Sequence, residues 1–243
     1  MATGSILNYN YYFEGSSEYT LLGISGSSGD LKSDIGKEYF SLERITRIKK
    51  HSKNRRFNLL AVSGERVSGQ KMMMMTKDQM KMRVAEFKEF FDRVTTKFKI
   101  NPNKVILVSI SDSALFTFNL ALTYPFLFNN IVLINPSQDF YFAANKFYSI
   151  LYGDKKIPLS NTNLFIYHRE PRWKFNLYKP AEVKLAQTSF INKMIDERLA
   201  RGFFVHFKNE DINDYKTYML KFFEKSFVGQ TDGFLQKPKL RAA

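Results

Sequence analysis

With 243 residues, 44% of them apolar and 16% aromatic, the chain can bury one sizeable core and is too apolar to be globally disordered. The absence of cysteine excludes disulfides, thiolate metal sites and a cysteine nucleophile. A net charge of +14 favours an anionic macromolecule, nucleic acid or acidic polysaccharide, as a partner.

The first residues, MATGSILNYN, lack a basic n-region and an apolar h-region, and no run approaches the length of a membrane span. A soluble, intracellular protein is therefore expected. Asn8–Phe13 alternates weakly and reads as an edge strand. Tyr19–Ile24 is a stronger strand and runs into the small-residue loop Ser25-Gly26-Ser27-Ser28-Gly29-Asp30, whose amides can approach a ligand closely. Asp34–Ile48 has helical spacing, and Phe57–Ser63 is a buried strand. Arg44–Arg56 is a basic run without an acid, with Arg44, Arg47, Lys49, Lys50, Lys53, Arg55 and Arg56 as a candidate anion-binding patch.

Met72–Met75 is an adaptable apolar lip and a candidate protein contact. Thr76 then predicts an N-cap with Gln79 as its capping-box partner. Met80, Val84, Phe87, Phe91, Val94 and Phe98 lay one apolar stripe along the helix that follows, stopped by Asn101-Pro102-Asn103. Lys104–Pro136 comes next: a buried strand to Ile110, a tight turn, a helix over Ser113–Tyr124 and a second strand at Ile131–Ile134. That is one parallel βαβ unit with a serine at the apex of its first turn.

Further on, the pattern predicts a helix over Phe140–Leu151, a polar loop over Tyr152–Asn163 and a strand over Leu164–Tyr167. The loop Glu170–Pro180 holds Trp173, a second candidate protein contact. A helix over Val183–Arg201 is predicted to close at Gly202, followed by the strand Phe203–Phe207 and a last helix after Asp211. Residues 1–229 read as one domain and residues 230–243 as a flexible tail. Strands alternating with helices imply an α/β fold, a mainly parallel sheet flanked by helices on both faces. Neither a P-loop, a dinucleotide fingerprint nor metal-ligand spacing occurs, so no cofactor and no metal is expected.

This order of elements resembles the α/β-hydrolase fold over roughly Tyr19–Phe227. Its most specific part is VILVSISDSA followed by LTYPFLFNNIVLINP. Only residues 135–163 separate the flanking strands there, so no large cap is expected. Family members carry Gly-x-Ser-x-Gly at the elbow; here the five positions are Ser109, Ile110, Ser111, Asp112 and Ser113. The resemblance implies Ser111 as nucleophile, with the amides of Asp112 and Ser27 as oxyanion donors.

The departures bear on catalysis. Both elbow glycines are serine. Asn213 falls where the family keeps its histidine, and Arg172 stands about where its aspartate belongs. The remaining candidates are His168 as a displaced base, with His206 inside a strand, and Asp139 or Glu170 as the acid. Removing the base alone costs on the order of 10⁴–10⁶ in rate in triad enzymes. The first expectation is therefore a non-catalytic pseudoenzyme, a binding or scaffold protein with a basic surface. The alternative is a serine acyl-ester hydrolase or sugar O-acyltransferase using Ser111 with a non-standard base. A structural subunit of a nucleoprotein assembly is the third.

Overall fold

The computed structural model describes residues 2–15, 17–24, 57–63, 75–111, 113–134, 136–137, 140–144, 159–169, 180–196 and 200–208. Its strands are β1 (Ala2–Ile6), β2 (Tyr9–Glu14), β3 (Tyr19–Ile24), β4 (Phe57–Ser63), β5 (Val105–Ile110), β6 (Asn130–Ile134), β7 (Leu159–Arg169) and β8 (Ala200–Lys208). Its helices are α1 (Lys77–Phe98), α2 (Ser113–Thr123) and α3 (Pro180–Asp196), with a 3₁₀ turn at Pro102–Lys104. Residues 140–144 are also helical.

The strands form one eight-stranded sheet in the order β1-β2-β4-β3-β5-β6-β7-β8. β2 is antiparallel to both of its neighbours, and the six strands from β4 to β8 run parallel. Composition explains the placement. In β5 and β6 every residue is buried, as a central parallel strand covered on both faces requires. Leu22, Leu107, Leu133 and Ile166 join the main core cluster on one face, while Leu21, Ile106, Val132 and Phe165 are buried on the other. β2 alternates instead, sending Tyr9, Tyr11 and Phe13 inward.

α1 keeps its predicted stripe: Met80, Val84, Phe87, Phe91 and Val94 are buried, joined by Phe90. Thr76 and Gln79 form the capping box, and Lys99 closes the helix in the left-handed conformation. α2 differs in kind, since ten of its eleven residues are buried. It lies beneath α1 and against β5, with Phe116 edge-on to Phe87 at 5.2 Å. A second aromatic group joins Phe118 of α2, Phe140, Tyr141 and Phe190 of α3. The entry into β3 is pinned by Asn58, whose Nδ2 donates to the Ser17 carbonyl (2.7 Å) and to Thr20 Oγ1 (3.1 Å). Gly15 passes so close, at φ 133°, that a Cβ there would stand 2.8 Å from the Asn58 Cα.

Four sequence expectations need correction. β1 was not foreseen, because ATGSI has too little apolar periodicity; pairing with β2 makes it a strand. β2 is therefore interior rather than an edge strand. β7 begins at Leu159, inside the predicted polar loop. There Thr162 Oγ1 donates to the Phe128 carbonyl (3.0 Å) and Asn163 Nδ2 to Asn130 Oδ1 (2.9 Å). Finally, α3 ends at Asp196 and Gly202 is no helix terminator: it lies in β8, paired with Asn163. The helices expected at Asp34–Ile48 and after Asp211, and the tail 230–243, lie outside the described residues. No helix among the described residues is long and apolar enough to cross a membrane.

Candidate active site

Ser111 follows the last residue of β5 and precedes α2 by two positions. Its φ is 61°, a left-handed value that a non-glycine residue adopts only under constraint. The constraint is visible. The Ser111 amide donates to the Ile134 carbonyl at the end of β6 (2.9 Å). Its carbonyl accepts from Ala114 of α2 (3.2 Å) and from Ser137 beyond β6 (3.4 Å). The residue is half-buried. A strained serine between a central strand and the helix behind it is the geometry that exposes a nucleophilic hydroxyl at the strand's C-terminal end.

The strand order puts that end at a switch point of the sheet. From β3 the chain goes outward to β4, then returns to β5 on the other side of β3. The strands that follow β3 and β5 thus lie on opposite sides, and open α/β sheets bind ligands at such a switch point. In sequence, Ser25-Gly26-Ser27 directly follows Ile24, the last residue of β3.

The two serines in place of glycines fit. Ser109 and Ser113 are fully buried, so both still serve as the small residues that let helix and strand approach. Ser113 Oγ accepts from the Ile110 amide (3.1 Å) and faces the carbonyls of Ile110 (2.7 Å) and Ile24 (3.2 Å) as donor. Sequence reasoning saw Ser113 only as a missing glycine and did not find this tie. The signal available was the hydroxyl, three residues from Ile110 at a helix start, where serine habitually bonds local backbone.

Register locates the histidines. Ile110 pairs with Ile134, Ile134 with Tyr167, and Tyr167 with His206. His168, next after Tyr167, is thus level with Ser111 two strands away, roughly 10 Å across the sheet at the usual strand spacing. His206 is three strands away, roughly 14 Å, within β8 rather than after it. Asp139 lies outside the described residues but is bracketed by them. Ser137 donates to the Ser111 carbonyl, and the Phe140 amide donates to the Ser137 carbonyl (3.0 Å).

The other candidates fall outside the described residues: Ser27, Asp112, Glu170, Trp173, and the basic run Arg44, Arg47, Lys49, Lys50, Lys53, Arg55 and Arg56. Of the Met72–Met75 lip, Met75 is described and is partly buried against the core rather than free at the surface.

No profile of a known protein family matches the sequence, and no curated protein matches it. Solved structures do. A carboxylesterase from Mesorhizobium loti is similar with a TM-score of 0.60 at 15% identity, over 92% of this chain and 97% of that one. A Bacillus cereus carboxylesterase is similar with a TM-score of 0.58 at 15% identity, over 90% and 95%. S-formylglutathione hydrolase from Staphylococcus aureus is similar with a TM-score of 0.55 at 12% identity, over 90% and 92%. At these identities the likeness shows the fold: this chain has the α/β-hydrolase fold, with no large cap among the described residues. The expectation of a non-catalytic binding or scaffold protein is corrected. Its premises were the lost elbow glycines, base and acid; against them, Ser111 holds the strained elbow conformation on a frame shared with structures named carboxylesterase.

Proposed function

We propose that this protein is a serine acyl-ester hydrolase with Ser111 as its nucleophile. The observation that carries the reading is the positive φ of Ser111 at the C-terminal end of β5, beside the switch point of the sheet. A serine hydroxyl needs a base, and His168 is assigned that role because the register sets it level with Ser111. Asp139 is assigned as the acid that orients it, since Ser137, two residues before it, donates to the Ser111 carbonyl. Glu170, two residues beyond His168, is the alternative acid. The amides of Asp112 and Ser27 are assigned as oxyanion donors, following the family likeness.

In the reaction, Ser111 Oγ bonds to the acyl carbon as its proton passes to the imidazole. That proton leaves with the alcohol as the ester bond breaks, giving an acyl-enzyme. Water then attacks the same carbon, yielding its proton to the imidazole, which returns it to Ser111 as the carboxylic acid departs.

Fluorophosphonate labelling of the full chain, with the adduct located by mass spectrometry, tests the nucleophile. One adduct on Ser111, together with p-nitrophenyl acetate turnover that falls by at least about 10³-fold in Ser111→Ala, is expected. A folded protein that neither takes the label nor turns over the ester overturns the reading.

A further inference from the structure

We infer that Ser113 is a positioning residue for acyl transfer, tying the strained elbow at Ser111 to the end of β3. This rests on the reading of Ser111 as nucleophile. The backbone ladder between β3 and β5 runs to the pair Ile24 and Ser109 among the described residues. The Ser113 hydroxyl adds a side-chain tie across the same seam. It is fully buried, accepts from the Ile110 amide at 3.1 Å, and directs its single proton between the carbonyls of Ile110 (2.7 Å) and Ile24 (3.2 Å). A glycine in this place could make none of these bonds.

The consequence is geometric. A nucleophile works only when its oxygen is held in line with the reacting carbon. Ser111 directly follows Ile110 and carries the strained φ of 61°. By gripping the amide and the carbonyl of Ile110 and the carbonyl of Ile24, Ser113 holds the backbone that aims Ser111. It acts through these groups rather than on substrate, so its loss weakens transition-state stabilisation and leaves ground-state binding alone.

The test begins with the wild-type chain. Absence of turnover and of Ser111 labelling removes the underlying reading and this inference with it. With an active wild type, Ser113→Ala is expected to lower kcat per fluorophosphonate-titrated site by about 10- to 100-fold with KM little changed. Ser113→Thr, which keeps the hydroxyl, is expected to recover most of that loss. A purely structural role predicts a lower Tm and fewer titratable sites at wild-type kcat per site, and that result overturns the inference. A loss in Ser113→Ala that Ser113→Thr fails to recover is steric and overturns it too. Should Ser113→Ala not fold, Ser113→Cys keeps the volume while weakening the bonds and is read in the same way.

Discussion

The two sides of the site are held in place by different means. The proposed nucleophile, Ser111, sits inside one continuous stretch, β5, turn, α2 and β6. Its fixing bonds, from Ser111 to Ile134 and from Ser113 to Ile110, close within that stretch. The assigned base reaches the same level only through the chain of pairings from β5 to β6 to β7. A one-residue slip in the β6–β7 ladder would carry His168 out of line with Ser111 while leaving the elbow intact. Local bonding can therefore preserve an elbow after its glycines are gone, whereas the base depends on the register of the whole sheet.

The largest expected effect that would break this comparison comes from the histidines. His168→Ala should lower kcat/KM for p-nitrophenyl acetate by about 10²- to 10⁴-fold, the range for loss of a general base. Added imidazole should restore part of it. His206→Ala, one strand further out, should change it only by a small factor. With a histidine as base, activity falls as the pH drops through the imidazole titration, because the protonated ring cannot accept the serine proton. The reverse order of effects would move the base to β8. Two small effects would remove both histidines from the mechanism.

The same contrast explains what the sequence could and could not show. The strand–turn–helix–strand at Lys104–Pro136 and the capped stripe of α1 were readable because their signals lie within a few turns of chain. β1, the first residues of β7 and the passage from α3 into β8 were not. Ser160, Asn161 and Thr162 are polar, and Ala200, Arg201 and Gly202 favour a helix end over a strand; all six lie in strands, held by the pairs Leu159–Ala200 and Asn163–Gly202 on either side of an irregularity in register. At the site, the elbow serine was legible and the alignment of His168 with Ser111 was not, since it emerges only from the strand order. The misreading of function weighed the lost glycines, base and acid together. The sequence alone does not show that Ser111 keeps the strained elbow conformation or that His168 lies level with it.

A middle-sized effect sharpens the comparison from the protein interior. Tyr141, in the helical residues just past the elbow-bound Ser137, is fully buried against Phe140 (5.1 Å) and Phe190 (5.7 Å). Burial pushes its phenol well above the ordinary tyrosine range. Above about pH 10 the unfolded chain gives up this proton and the folded chain keeps it. The group's stabilising contribution is thus complete below that pH and is lost as pH rises further, by up to about 1.4 kcal/mol per pH unit. Urea unfolding at several alkaline pH values should show a shallower decline for Tyr141→Phe than for wild type. Equal slopes would mean the phenol is not held protonated, and the aromatic packing beside the elbow would be looser than its geometry implies.

The smallest expected effect separates the two serines that replaced glycines. Ser109 is as buried as Ser113, yet its hydroxyl finds no hydrogen-bond partner among the described residues. Its backbone is committed to pairing with Ile24 and Leu133, so the side chain contributes bulk without a bond. A buried, unsatisfied hydroxyl costs about 1–3 kcal/mol of desolvation. Ser109→Ala removes that cost at the price of a cavity smaller than a methyl group, so stability should stay level or rise by about 1 kcal/mol, with kcat unchanged. Chemical denaturation reads the first quantity and ester turnover the second. If Ser109→Ala instead behaved like Ser113→Ala, the elbow would depend on hydroxyls at both positions, and the seam from Ser113 to Ile24 would lose its singular role.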